Sequence, residues 1–164
     1  MGNFAAFDFR LAWRLNNKNA LGLKRPGYPA TSTAPEVGKP VSKATVFVID
    51  DDEACRDSVR ELVSAAGLAV AVFSSAAEFL TAFDPAWHGC LVLDLRMPRM
   101  NGRALQERLL ELGILMPIVF ISGSVDIPTA VQAIKDGAVD FLQKPYPENK
   151  LLDAIYKGLR RNAS

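Results

Sequence analysis

Only two cysteines, Cys55 and Cys90, and one histidine, His88, occur in the 164 residues. Two thiols so placed make neither a disulfide framework nor a metal-ligand spacing, so a reduced, cytosolic protein is the simple reading. Cys90 opens an apolar run, where a thiol acts as a small hydrophobe. No apolar stretch approaches the length needed to span a bilayer. Asp8 and Arg10 interrupt the aromatic start at Phe4, Phe7 and Phe9, so no signal-peptide core forms. Charge of one sign is also lacking: the net charge of +1 argues against a strong electrostatic preference for nucleic acid.

What is present fits a globular protein, with 49% hydrophobic and 23% charged residues. The length leaves room for one domain and a short appendage. Residues 1–43 carry Arg10, Arg14, Lys18, Lys24, Arg25, Lys39 and Lys43 against Asp8 and Glu36, so a basic appendage precedes a mildly acidic domain. Within it, residues 24–43 are dense in Pro, Gly, Ser and Thr and read as a flexible linker. Residues 1–23 mix aromatics with Asn and basic side chains, which suits a short amphipathic helix, a partner-binding segment or a non-native leader.

From Ala44 the texture becomes a regular alternation. Strand-like runs at 44–49, 69–73, 90–95, 117–122 and 139–142 alternate with helical patterns at 53–66, 75–83, from Asn101 through Leu112, 127–135 and 147–161. Gly67 and Gly137 read as helix stops, and Pro98 breaks the chain before Asn101. Short, uniformly apolar strands separated by helices imply a parallel sheet covered on both faces. With right-handed crossovers, five such units give an α/β, flavodoxin-like, doubly wound sheet of order 2-1-3-4-5. The expected domain is 44–161, with 162–164 as a tail.

In such a sheet, ligands bind beyond the carboxyl ends of the strands. There the first strand delivers Asp50, Asp51 and Asp52, the third Asp94, the fourth Ser122, and the fifth leads to Lys144 and Pro145. Clustered carboxylates repel, and a hard divalent cation such as Mg2+ resolves the conflict and can neutralise a phosphoryl group in transfer. The plainer reading of Asp50–Glu53 is a helix N-cap with favourable dipole contacts. Lys144 is either a solvated strand-end lysine or the partner of Asp94. Ser122 is either a turn serine or a hydroxyl donor to a phosphoryl oxygen, and Phe141 alone reads as core packing.

The segments VFVIDDDEACR, LVLDLRMPRMNG, VFISGS and GAVDFLQKPY, in this order, resemble response-regulator receiver domains of two-component systems. The resemblance covers about 44–161 and is most similar to the FixJ-type branch, notably in DLRMP and SGSVDIPTAVQAIKDGAVDFLQKPY. It implies that Asp94 accepts a phosphoryl group from a sensor histidine kinase. It further implies Mg2+ on Asp51 and Asp94 and the backbone carbonyl of Arg96, with Asp50 acting through water. Lys144 would contact the phosphoryl group, with a cis bond to Pro145, and Ser122 and Phe141 would be the switch pair. Asp52 falls on a variable position. Arg96 and Ser124, each two residues beyond a site residue, would tune hydrolysis. The output would be a protein-interaction surface on the fourth helix, fifth strand and fifth helix, also a candidate homodimer contact. No direct nucleic-acid or membrane binding is expected. Many FixJ-type regulators continue into a helix-turn-helix domain. This chain stops at Ser164, so it reads as either a single-domain regulator or an excised receiver, with transcriptional output through an effector in the second case.

Other functional classes fit the residues less well. A phosphohydrolase using Asp94 as nucleophile would need a further acid–base group, and His88 lies before the third strand, away from the acidic rim. A flavin module would meet repulsion between its phosphate and Asp50–Glu53. A receiver-like interaction domain that is never phosphorylated would not need the full acidic set.

Overall fold

The first strand forms where β-branched and aromatic residues run together in TVFVI, and the same composition recurs in four later segments. The computed structural model describes residues 44–163; the extension and linker read over 1–43 lie outside the described residues. In chain order the elements are β1 (Thr45–Ile49), α1 (Glu53–Ala65), β2 (Ala69–Phe73), α2 (Ala76–Ala82), β3 (Gly89–Asp94), α3 (Gly102–Glu111), β4 (Ile118–Ser122), α4 (Ile127–Lys135), β5 (Asp140–Gln143) and α5 (Glu148–Ala163). The five strands are parallel in the order β2-β1-β3-β4-β5, the expected arrangement.

Side chains alternate across the sheet and so build two cores of different character. Phe47, Ile49, Phe73, Leu91, Leu93 and Phe120 point to one face, where Phe79, Trp87, Leu105, Leu109 and Ala133 of α2, α3, α4 and a connecting loop cover them. Val46, Val48, Val92, Val119 and Ile121 point to the other, beneath Val59 and Val63 of α1 and Leu151 and Ile155 of α5. Aromatic rings fill the first core: Phe47 stacks on Trp87 at 5.0 Å, and Phe73 meets Phe79 edge-on at 5.3 Å.

The helix boundaries have local causes. Asp52, Ser75, Asn101 and Asp126 each accept a backbone N–H of the first turn they precede, so four of the five helices begin at a side-chain cap. Gly67 and Gly137 follow the ends of α1 and α4 with φ of +79° and +104°, the left-handed C-terminal stop expected of them.

Two details depart from the sequence reading. β5 is not uniformly buried: Asp140 and Gln143 are exposed, because an edge strand is covered less completely than its central neighbours. The last helix runs on to Ala163, into the stretch read as a tail, because Asn162 Oδ1 accepts the Gly89 N–H at 2.9 Å and ties the helix end to the start of β3. Gly158 lets this helix lie close on the sheet, since a Cβ there would stand 2.6 Å from the Cys90 sulfur.

Gly89 is where backbone meets backbone. A Cβ on it would lie 1.8 Å from the Thr45 carbonyl oxygen, and its φ is +146°. Gly89→Ala is therefore expected to destabilise the domain by about 3 kcal/mol, from overpacking and backbone strain together. The midpoint of urea unfolding measures it; a loss below about 1 kcal/mol would show that the approach of β1 and β3 is not tight.

Candidate phosphoacceptor and metal site

The site grows out of strand register. Ile49 of β1 pairs with Leu93 of β3, so the next residues, Asp50 and Asp94, emerge side by side at the carboxyl end of the sheet. This is the point where the strand order reverses, since β1 connects outward to β2 on one side and β3 onward to β4 on the other. Asp51 follows on the turn into α1. One carboxylate oxygen from each of Asp50, Asp51 and Asp94 falls within 4.8 Å of the others. Asp50 is fully buried, Asp94 is 5% exposed, and Asp51 is open to solvent.

Lys144, just beyond β5, closes the cluster. Its Nζ lies 3.0 Å from Asp50 Oδ2 and 3.8 Å from Asp94 Oδ1. The Lys144–Pro145 peptide bond is cis, as the family resemblance implied. The Lys144 N–H donates to the Ser122 carbonyl at 2.8 Å, which anchors the lysine-bearing loop to the end of β4.

The two buried carboxylates take opposite characters. Burial disfavours the Asp50 anion, but the Cys55 thiol, the Asp52 N–H at 2.9 Å and the Lys144 ammonium outweigh that and hold it below the usual carboxylate range. Asp94 has fewer donors. Burial and the neighbouring Asp50 anion push it up to about 7, against the pull of Lys144 and the Arg96 N–H at 3.4 Å. The Lys144 ammonium loses solvation but gains both carboxylates, which keeps its pKa above the ordinary lysine value. Three carboxylates against one ammonium leave an excess of negative charge that a proton on Asp94, or a divalent cation, would relieve.

The remaining expected residues fall as follows. Ser122 ends β4, fully buried, and its Oγ donates to the Ser124 carbonyl at 2.8 Å. Phe141 lies on β5, partly buried, with its ring stacked on Phe120 at 5.5 Å. Arg96 is exposed, and its side chain leaves the carboxylates to donate through Nε to the Ser124 carbonyl at 3.3 Å. Asp52 caps α1 through a bond from the Ala54 N–H, so the plainer reading of the acidic run holds for that residue. His88 sits at the opposite end of the sheet, where its carbonyl accepts from the Thr45 N–H.

Three contributors were not singled out from the sequence. Arg56 Nη1 donates to the Asp50 carbonyl at 2.8 Å and fixes the acidic turn from within α1. The Cys55 thiol, pushed up to about 12 by burial and by Asp50, stays protonated as a donor to that carboxylate. Gly102 opens α3 directly against Asp94: a Cβ there would lie 2.5 Å from the Asp94 carbonyl oxygen. The six-residue spacing from Asp50 to Arg56 and the Asn-Gly pair after Pro98 were the available signals.

The family model described as "Response regulator receiver domain" matches residues 46–156. The response regulator protein TodT of Pseudomonas putida is 49% identical over 117 residues, covering 71% of this chain and 52% of TodT. The transcriptional regulatory protein FixJ of Azorhizobium caulinodans is 43% identical over 118 residues, covering 72% of this chain and 56% of FixJ. The chain thus spans about half the length of these curated relatives. Among solved structures, the response regulator StyR superposes with a TM-score of 0.71 at 51% identity, covering 74% of this chain and 62% of StyR. FixJ-N superposes at 0.66 and 40% identity, covering 73% of this chain and 96% of that structure.

The raised Asp94 pKa carries a sign that can be measured. The folded chain holds this proton more tightly than the unfolded one, so the carboxyl costs nothing below about pH 4 and costs stability as pH rises through about 7. Asp94→Asn is expected to stabilise the metal-free protein at pH 8 by on the order of 2 kcal/mol, shrinking to nothing near pH 4. Urea unfolding with chelator present is the measurement; equal stabilities at pH 8 would refute the crowded-carboxylate picture. Added Mg2+ is expected to raise the stability of the unsubstituted protein and narrow the gap.

Proposed function

The chain belongs to the response regulator receiver domain family, and from that premise we propose that it takes a phosphoryl group onto Asp94 from a sensor histidine kinase and thereby switches a protein-interaction surface. The observation that carries this reading is the convergence of Asp50, Asp51, Asp94 and Lys144 at the strand-order reversal.

In the transfer, an Asp94 carboxylate oxygen forms a bond to phosphorus while the phosphorus–nitrogen bond of the phosphohistidine breaks. The electron pair of that bond returns to the imidazole nitrogen. Asp94 must be deprotonated to attack. Asp51, Asp94 and the Arg96 carbonyl would hold Mg2+, with Asp50 assisting through water, and the ion would supply charge neutralisation on the phosphoryl oxygens. The all-oxygen donor set with spare negative charge supports that choice of metal. Lys144 is close enough to both carboxylates to follow the charge from Asp94 onto an acquired phosphoryl group. Ser122 can turn its hydroxyl from the Ser124 carbonyl to a phosphoryl oxygen, and Phe141, half-buried on the edge strand, would turn inward behind it.

The output surface we assign includes α4. Ile127, Val131 and Ile134 recur at helical spacing and are 79%, 46% and 46% exposed, an apolar stripe suited to a homodimer or to another protein partner. The domain acts as a signalling phosphoacceptor whose turnover is limited to its own phosphorylation and dephosphorylation. No helix among the described residues is long and apolar enough to cross a membrane, and a cytoplasmic location is part of the proposal. Transcriptional output belongs to the proposal too, through an effector domain such as the longer relatives have room for; this chain itself is not proposed to bind nucleic acid.

Incubation with a radiolabelled small acyl phosphate and Mg2+ tests the assignment. The unsubstituted chain is expected to incorporate acid-stable, base-labile label, and Asp94→Asn none. Lys144→Ala is expected to reduce labelling by at least tenfold, the scale of one lost charge contact in the transition state. Equal labelling of Asp94→Asn would remove Asp94 from its role.

A further inference from the structure

Helix α4 is held unevenly along its length. Its C-terminal half is tied to α3: Gln106, 2% exposed, donates Nε2 to the Ala133 carbonyl at 3.0 Å, and Arg103 pairs with Asp136 at 2.7 Å. Asp136 also accepts from Gln132 at 3.0 Å, and Ala133 is itself wholly buried against the sheet. The N-terminal half has no comparable support among the described residues. Ile127 is 79% exposed, and an open cleft of about 850 Å³ separates Pro128 and Thr129 from the loop between β3 and α3.

Arg96 reaches across the mouth of that cleft. Its Nε donates to the Ser124 carbonyl at 3.3 Å, and the same carbonyl accepts from Ser122 Oγ at 2.8 Å. One oxygen in the β4–α4 loop thus receives two donors, and both donors belong to residues beside Asp94. Arg96 lies two residues beyond it and gives its own N–H to Asp94 Oδ1. Ser122 ends the strand next to β3.

We infer that Arg96 is a positioning residue for the switch: its guanidinium latches the β4–α4 loop in the resting state, and α4 pivots on the Arg103–Gln106–Asp136 clamp when the latch opens. The inference rests on Asp94 as the phosphoacceptor. A phosphoryl group there brings a charge of about −1.5 to −2 and three acceptor oxygens. A guanidinium is always cationic, and its planar fork matches an anionic phosphoryl group with two parallel bonds, where the neutral Ser124 carbonyl takes one. Arg96 and Ser122 are therefore drawn the same way by the same event, and the Ser124 carbonyl loses both donors together. From Ile127 to Ala133 the helix rises about 9 Å, so a small rotation at the clamp displaces its free end by a few ångströms.

Amide hydrogen exchange on the unphosphorylated, metal-free chain reads the latch directly. Arg96→Ala is expected to speed exchange across residues 123–128 about fivefold, the worth of one hydrogen bond, with the amides of the central strands unchanged. Arg96→Lys, which keeps the charge without the fork, is expected to recover only part of that protection. Asp136→Asn loosens the other end and is expected to speed exchange over 132–138 while leaving 123–128 as they were. With a small acyl phosphate and Mg2+, labelling of the unsubstituted chain is expected to speed exchange across 123–128 towards the Arg96→Ala rate, because the phosphoryl group draws the guanidinium off the Ser124 carbonyl. Unchanged exchange at 123–128 in Arg96→Ala overturns the latch, as does unchanged exchange there when the unsubstituted chain takes up label. Uniform acceleration along α4 in the Asp136 variant overturns the pivot. If the unsubstituted chain takes no label at all, the phosphoacceptor reading fails separately, and the exchange data still judge the latch.

Discussion

Everything at the functional end of this domain depends on two carboxylates held side by side where they repel. Pairing of Ile49 with Leu93 leaves Asp50 and Asp94 no choice but adjacency, because the two central strands end together. Burial makes the repulsion count: with little water to screen it, one carboxyl group keeps its charge by collecting donors and the other gives way. Asp50 collects the Asp52 N–H, the Cys55 thiol and Lys144, and Asp94 is left the more basic oxygen. The geometry that strains the resting site therefore also sets apart the group proposed to act as nucleophile.

Much of this was legible in the sequence, for a physical reason. Parallel strands buried on both faces must be continuously apolar, so the first polar residue after each run marks the carboxyl edge of the sheet. Asp50 after ATVFVI, Asp94 at the end of LVLD and Ser122 after PIVFI could be assigned to one rim before any coordinates. Lys144 needed the further knowledge that the fifth strand lies beside the fourth. The doubly wound arrangement followed from the handedness of crossovers, and the order 2-1-3-4-5 is the usual solution for five strands, so neither needed side-chain detail.

What was not legible depends on contacts between segments far apart in the chain. The Arg96 side chain could not be assigned a direction, because its partner is the carbonyl of Ser124 on another loop. Gln106 sits on α3 among charged and apolar neighbours, and nothing local shows that it is buried to bond the Ala133 carbonyl. Gly102 follows the Asn101 cap with nothing local to mark its role. Its necessity comes from the Asp94 carbonyl 2.5 Å from where its Cβ would be. Cys55 counted as one of two thiols, and only proximity to Asp50 makes it a donor. The exposed ends of β5 were missed because an edge strand and a central strand have similar composition when short.

The uneven support of α4 is the complement of the crowded site. The sheet and the helices α1 and α5 bury a close-packed valine and isoleucine core, which resists partial displacement. A local change in charge can produce a large movement only where few apolar contacts must break. Helix α4 meets that condition: Ala133 is its one fully buried side chain, and it is tied to α3 by the Gln106 bond to the Ala133 carbonyl and the Arg103–Asp136 ion pair, each worth about 1 kcal/mol. That is small beside the interaction of a phosphoryl group with a guanidinium, a hydroxyl and an ammonium together, each bond to it charge-assisted. On the proposed reading, stored repulsion at the strand ends and weak anchoring of one helix are two halves of one arrangement, in which a phosphoryl charge on one carboxylate would exceed what holds the helix in place.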